Sequence, residues 1–436
     1  MDLFWVYYGE SGYLGESPAP LNGVRYFTTS KNKRFMRSVR FRLFGIVLGL
    51  ISLRLVGCDS PSAVGLDTLD DLANAPNRVQ VTFNPAQTAG LFEDITGQDS
   101  PVLTGNVTER GKLAGISLEA IGFMDFLDSS SRTNKFKDGP ITKVDLILKP
   151  TYAYGDTSAV MNVGVYDMPK EWTATNAKYD SLFTAGDLVA TSADFKPNTK
   201  KDVVIALPST WYTPKSDIIR DKSGDFADDL HGFQLKSAKG NAIVGFDYAQ
   251  SYFRVVSGTD TLKFASSTTR VHTYVKRSGS PMLATGQHYI QDDTGDGILI
   301  SPDLEALKAQ VTNGTQTRFP AAINAVQFKV SADTTISYSS PGFARPVVKR
   351  MIVYGIKKDK TKAVLATATF SKGYFIFSNG ALTNEVQKQM IGKGTYEKMI
   401  LTPYSGAGSV NGLIWYDMQA IELLRPKFFV TFIDTN

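Results

Sequence analysis

Lys143-Val144-Asp145-Leu146-Ile147-Leu148 is the stretch that decides the fold class of this 436-residue chain. A similar stretch, Lys427-Phe428-Phe429-Val430-Thr431-Phe432, lies near the C-terminus. In both, polar and apolar residues alternate loosely, with apolar residues on both faces. This pattern is typical of half-buried β-strands.

Similar short runs of Val, Ile, Phe, Tyr and Thr recur along the chain between clusters of Gly, Asp, Ser, Asn and Pro. Residues 79–83 and 203–207 are two examples. The best helical patterns are short and cover residues 302–311 and 384–391. Many short strands at this spacing indicate an all-β fold of sandwiches with few short helices.

A weak internal repeat divides this β-rich region. Segments at 122–126, 141–146, 163–166 and 251–256 have counterparts at 297–300, 323–328, 351–354 and 426–432. The repeat predicts two tandem jelly-roll-like sandwiches, residues 79–278 and 279–436. The alternative is that β-rich composition alone produces the likeness.

In layout, these segments resemble the jelly-roll modules called DNRLRE domains, which are grouped with carbohydrate-binding modules, and large Bacteroidetes lipoproteins of unknown function. The matching positions are Pro140 to Leu146, Val163-Gly164-Val165-Tyr166 with Trp172, and Arg425 to Phe432. The namesake hexapeptide is absent. The resemblance implies a jelly roll on an exported, surface or polysaccharide-associated protein.

Cys58, the only cysteine, follows a stretch that resembles a bacterial lipoprotein signal. The basic Arg37, Arg40 and Arg42 precede an apolar run at 43–53, which is shorter than the roughly 20 residues of a membrane span. Leu55, Val56 and Gly57 then resemble a lipobox, although Arg54 is a departure from that pattern. The resemblance implies lipid attachment at Cys58, whereas the alternative is a buried helix with a core cysteine.

Residues 1–57 are accordingly predicted to be an N-terminal extension plus signal peptide, with Met36 as the true start. Residues 58–78 are polar and contain proline, so they are predicted to form a flexible tether. We expect a cell-envelope protein, on the outer membrane or cell surface, whose membrane partner is bound through the anchor at Cys58.

Net charge argues against a nucleic-acid partner. The chain carries 47 Lys and Arg against 42 Asp and Glu, but eight of the basic and three of the acidic residues precede Cys58. The remainder is balanced, so it lacks the basic excess that nucleic-acid binding requires.

Asp292-Asp293-Thr294-Gly295-Asp296-Gly297 is the best candidate for a metal site. Counted from Asp292, the residues Thr294, Asp296 and Asp303 take ligand positions of a calcium loop, and Gly297 takes the turn position. A structural calcium ion is one interpretation. A turn whose Asp and Gly residues adopt positive φ is the other.

Aromatic residues provide the candidate ligand site. Flat aromatic rings stack on the C–H faces of sugars, and Asp and Asn bind the hydroxyl groups. Trp172 with Tyr179, and Trp211 with Tyr212, are the predicted platforms. The alternative is that these rings belong to the core.

No other motif indicates an enzyme or a cofactor. The three histidines lack zinc spacing, Gly392-Lys393-Gly394-Thr395 lacks the first glycine of a phosphate loop, and there is no G-x-S-x-G elbow. The sequence favours a non-catalytic, glycan-binding or adhesive lipoprotein. A structural or assembly lipoprotein of an envelope complex and a polysaccharide-active enzyme are the alternatives.

Overall fold

The computed structural model describes residues 78–81, 86–88, 101–129, 132–175, 177–222, 226–311, 322–336, 342–403 and 408–433. These residues belong to one compact unit, Asp67–Asn436. The predicted leader, the lipobox, Cys58 and the predicted tether as far as residue 77 lie outside the described residues. No helix within the described ranges is long and apolar enough to cross a membrane.

The predicted all-β class is confirmed, because strands dominate the described chain. The strands are β1 Arg78–Val81, β2 Ala86–Thr88, β3 Val102–Thr108, β4 Ser117–Phe126, β5 Ile141–Leu148, β6 Pro150–Asp156, β7 Asn162–Asp167, β8 Leu188–Thr191, β9 Val203–Leu207, β10 Phe233–Lys239, β11 Ala242–Phe246, β12 Tyr252–Ser257, β13 Asp260–Ser278, β14 Gln287–Gln291, β15 Gly297–Ile300, β16 Ala322–Asp333, β17 Phe343–Ala344, β18 Arg350–Ile356, β19 Lys362–Thr369, β20 Tyr374–Ser378, β21 Lys398–Pro403, β22 Gly412–Tyr416 and β23 Lys427–Ile433.

The helices are short, as the sequence predicts. They are α1 Asn134–Asp138, α2 Ser209–Tyr212, α3 Ser216–Ile219, α4 Phe226–Asp229, α5 Leu304–Val311 and α6 Gly380–Met390. The two predicted helices correspond to α5 and α6. The Asn379 side chain caps the first turn of α6 by accepting a hydrogen bond from Ala381 N, which satisfies a backbone donor at the helix start.

The strands form three antiparallel sheets. Twelve strands form the first, with a main order of β17-β6-β11-β3-β4-β13-β12-β5-β9; β10 joins β4 to β7, and β8 follows β7. The second has the order β1-β23-β16-β22-β14, with β20 on β16. The third has the order β19-β18-β21-β15-β2.

The structure has two large hydrophobic cores. One contains buried residues from Val102 to Val271, contributed by strands of the twelve-stranded sheet and by the short helices α1, α3 and α4. Strand β13 is 19 residues long, and its first part pairs with β12 whereas its later part pairs with β4. The twelve-stranded sheet can therefore fold around this core. The second core contains residues from Ile290 to Val430, contributed by the other two sheets and by helices α5 and α6.

Corresponding segments of the predicted repeat occupy corresponding places in the sheets. β5 pairs with β12 as β16 pairs with β23. β10 lies between β4 and β7 as β21 lies between β15 and β18. The division into two domains at residue 279 stays a prediction.

Three strands, β1, β2 and β17, pair across the predicted domain boundary at residue 279. β1 and β2 pair with β23 and β15, so these early strands hydrogen-bond within the second half rather than within the 79–278 segment. In addition, β17 pairs with β6 of the first half. Antiparallel pairing therefore links the two halves in both directions.

Candidate functional site

A cleft opens where several strands of the twelve-stranded sheet begin or end. Asp125 is the penultimate residue of β4, Asp167 is the last residue of β7, and Phe233 is the first residue of β10. Because β10 pairs with both neighbours, Phe233 lies opposite Met124 on one side and Asp167 on the other. The full lining is Asp125, Phe126, Asp167, Trp211, Phe226, Leu230, Gly232, Phe233 and Phe253.

Trp211 provides the large flat ring of this cleft. It lies in the single-turn helix α2, where its backbone N–H donates to the carbonyl of Pro208. Its ring packs 5.2 Å from Phe233 and 6.0 Å from Phe253, measured between centroids. The indole Nε1 is buried and makes no hydrogen bond within the described part of the chain. The Trp211 side chain is therefore held in place by packing and not by a hydrogen bond, with only part of its surface exposed.

Each carboxylate of the cleft has a cationic partner. Arg270 Nη1 lies 3.0 Å from Asp125 Oδ2, and Lys215 Nζ lies 3.3 Å from Asp167 Oδ2. Burial raises the pKa of Asp125 above its ordinary value, and hydrogen bonds from Phe126 N and Arg270 oppose that rise. The cleft thus combines apolar aromatic residues with a buried carboxylate, Asp125, and a partly exposed one, Asp167, each paired with a cation.

A bulge in β13 places Arg270 beside Asp125. Ser266 pairs with Phe126 and Val271 pairs with Met124, so residues 267–270 lie opposite Asp125 alone. The bulge turns the guanidinium toward Asp125 and toward Glu171, whose Oε1 lies 2.7 Å from Arg270 Nη2. Bulges beside sites commonly aim a side chain in this way.

Gly232 brings two backbones unusually close at the floor of the cleft. Its φ is +76°, and a Cβ atom built on it would lie 2.1 Å from the carbonyl oxygen of Met124. Only glycine fits a position that combines positive φ with this contact. The close approach sets the position from which β10 starts.

The structure corrects one of the two predicted platforms. Trp172 is 5 % exposed, and it packs against Phe123 and Phe183 while its Nε1 donates to the carbonyl of His231 at 2.8 Å. A ring buried on both faces cannot stack on a sugar. The half-buried Tyr179 packs against Gly295, apart from the cleft lining.

The second predicted platform is only partly realised. Trp211 lines the cleft, whereas its neighbour Tyr212 does not. Instead, the Tyr212 hydroxyl donates to the carbonyl of Thr142 at 3.4 Å. Successive residues of a helix point in different directions, which explains why one ring faces the cleft and the next leaves it.

The predicted calcium ligands bind protein groups instead of converging. Asp296 accepts hydrogen bonds from Arg277 and from Gln291 N, and Thr294 donates to the carbonyl of Gln291. Asp303 is exposed and caps α5 by accepting from Ala306 N at 2.9 Å. Within the described ranges, no three carboxylate, histidine or cysteine side chains are grouped to hold a metal ion.

This acidic turn joins two sheets and anchors a distant loop. Asp293 and Gly295 have φ of 53° and 71°, as the turn interpretation predicts. Asp292 accepts from the hydroxyl of Ser409, and Asp293 accepts from Ser409 N at 3.1 Å. The buried carboxylates therefore fix the chain ahead of β22.

Sequence reasoning did not identify Asp125, Asp167, Lys215 or Gly232 as site residues. The available signal was weak, because an aspartate at the end of a predicted strand marks a sheet edge without showing which strands are neighbours. Pairing with β10 is what brings Asp125 and Asp167 to one cleft.

Comparison of the chain with protein-family models, curated proteins and solved structures finds no significant match. The leader pattern that ends in Cys58 and the chemistry of the cleft around Trp211 are the features of the chain that indicate a function.

Proposed function

We propose that this protein is an exported, lipid-anchored protein of the bacterial cell envelope that binds a glycan in the cleft around Trp211. The basic and apolar leader that ends in Cys58 supports export and anchoring. The all-β fold and the resemblance to carbohydrate-binding jelly rolls support a binding module. No cofactor is needed for this function.

The observation that carries the proposal is an aromatic ring beside two carboxylates at an open strand end. Trp211 offers a flat apolar surface, and the partly exposed Asp167 offers hydrogen-bond acceptors, whereas Asp125 is buried in the lining. The empty volume of the cleft, including open solvent at its mouth, is about 260 Å³. The enclosed part of the cleft has room for only about one water molecule, so a sugar ring would lie across its mouth, against Trp211.

We propose binding rather than hydrolysis. A glycosidase needs one carboxyl group that donates a proton and another that attacks or activates water. Here Asp125 and Asp167 are each engaged by a cation, Arg270 and Lys215 respectively. These ion pairs occupy both carboxylates, which does not favour the acid and nucleophile roles.

Binding of the purified full-length protein to insoluble polysaccharides and to a glycan array tests this proposal. We expect reproducible binding that weakens at least about tenfold in Trp211→Leu, as for a central aromatic contact. Leucine keeps apolar contact with Phe233 and Phe253 but lacks the flat face. Thermal unfolding checks that the variant is folded.

Trp172→Phe is the matched control, because it alters a buried tryptophan that does not line the cleft. We expect it to keep glycan affinity within about twofold, since only packing and one hydrogen bond change. The proposal is wrong if the folded wild-type protein binds no glycan, or if Trp211→Leu binds as tightly as wild type.

A second candidate function is assembly within an envelope complex, which exposed apolar residues on two loops favour. Met282 and Leu423 are 93 % and 76 % exposed. Their loops meet where Asp417 N donates to the carbonyl of Gly286 at 2.9 Å. Exposed apolar side chains on adjoining loops are the feature that favours a protein contact here.

Photo-cross-linking from position 423 in intact cells tests the second candidate. We expect one discrete adduct that disappears in Met282→Ser, because the two loops would form one contact surface. A diffuse set of adducts, or none, contradicts the assembly function. This measurement is independent of glycan binding.

A further inference from the structure

Lys215 places an ammonium group beside two residues of the cleft lining, Asp167 and Trp211. Its Nζ lies 3.3 Å from Asp167 Oδ2 and 5.3 Å from the centroid of the Trp211 ring. A carboxylate together with an aromatic face is the combination that attracts organic cations. The lysine side chain is 26 % exposed, so solvent is available to it outside the cleft.

The neighbouring lining suits the same chemistry. Phe126, Phe233 and Phe253 lie within about 6 Å of one another by ring centroids. Aromatic surface of this kind excludes water, and less water strengthens the attraction between a carboxylate and a cation. A neutral hydroxyl gains less from such surroundings than a charged donor does.

The two carboxylates differ in how firmly their cations are held. Arg270 is fixed from both sides, by Asp125 and by Glu171, and it reaches Asp125 from the bulge of β13. Lys215 has a flexible stem, and Asp167 is its ion-pair partner. Asp167 is therefore the carboxylate to which an incoming cation can bind in place of Lys215.

We infer that the cleft selects a sugar ring bearing a protonated primary amine, whose ammonium group replaces that of Lys215 between Asp167 and Trp211. The inference rests on the proposed glycan-binding function and names its ligand class, an amino sugar with a free amine. The ring stacks on Trp211, its ammonium donates to Asp167, and Lys215 moves to solvent. No bond is formed or broken.

Calorimetric titration with three oligosaccharides of equal length tests the inference. The probes are oligomers of glucosamine, of N-acetylglucosamine and of glucose, at about pH 5.5, where the sugar amines are protonated. We expect the glucosamine oligomer to bind at least about fivefold more tightly than either of the others, the size of a partly exposed ion pair.

Two variants at the cleft are expected to change the preference for the amine in opposite directions. Lys215→Met frees Asp167, so affinity for the glucosamine oligomer rises about fivefold relative to that for the glucose oligomer. Asp167→Asn abolishes the preference for the amine. Lys239→Met, which removes a cation at the far end of β10 from Phe233, controls for net charge and changes none of the three affinities.

The outcomes separate this inference from the proposed function. Equal binding of all three oligomers, or a Lys215→Met variant without a selective gain, overturns the amine preference and leaves glycan binding standing. Binding of none of the oligomers by folded protein, together with no binding on the glycan array, overturns both. Equal affinity of free tetramethylammonium and glucosamine points to general cation binding and also contradicts the inference.

Discussion

Replacing Arg277 with methionine is expected to lower the free energy of unfolding by about 3–5 kcal/mol at neutral pH, because it leaves a buried carboxylate without its cation. Asp296 is 2 % exposed, and Arg277 Nη2 lies 3.0 Å from its Oδ1. A second guanidinium nitrogen, Nη1, contacts Oδ2 of the same carboxylate. Urea denaturation followed by circular dichroism measures the loss.

The loss should depend on pH in a defined direction. Burial raises the pKa of Asp296, and Arg277 opposes that rise, so Arg277→Met raises this pKa further. A carboxyl group whose pKa is higher in the folded than in the unfolded chain costs stability as the pH rises through the folded pKa. The deficit is therefore largest at neutral pH and disappears below about pH 4, near the unfolded pKa.

Two further variants make this prediction specific. Adding Asp296→Asn to Arg277→Met should recover at least about half of the lost stability, because the amide oxygen still accepts from Gln291 N without a buried charge. Lys239→Met breaks an exposed pair with Asp194 and should cost at most about 0.5 kcal/mol. A deficit in Arg277→Met that is equal at pH 4 and pH 7 would contradict the electrostatic explanation.

The fold class was predictable because strand patterns are local. Residues 203–207, predicted from their apolar run, are β9 with the same bounds, and the stretch beginning at Lys427 is β23. The one-turn helices α2, α3 and α4 were not predicted. A single helical turn has little intrinsic stability, so contacts from distant strands decide whether it forms.

The site was less predictable, because burial and pairing are not local properties. Trp172 and Trp211 both lie in segments that look like loops in the sequence, yet one is in a hydrophobic cluster and the other lines the cleft. The acidic turn shows the same difficulty. Spacing places Asp296 among calcium ligands, whereas Arg277, on β13, occupies its oxygens.

Gly232→Ala is expected to be the most damaging single-methyl substitution near the cleft. The added Cβ would lie 2.1 Å from Met124 O and 2.6 Å from the Cα of Asp125. Both neighbours are backbone atoms of β4, so relief requires moving the strand and breaking the pairing of Phe233 with Met124. We expect a loss of at least about 3 kcal/mol, from overpacking together with positive-φ strain.

Gly258→Ala separates the two causes of that loss. Gly258 also has positive φ, +58°, but nothing lies within 4 Å of an added Cβ atom. It therefore reports backbone strain alone, which costs about 1 kcal/mol. If contact with the β4 backbone causes most of the loss in Gly232→Ala, the free energies of unfolding of the two alanine variants differ by at least about 2 kcal/mol in urea denaturation. Similar losses in both would show that the position tolerates a side chain, and the cleft floor would then not depend on glycine.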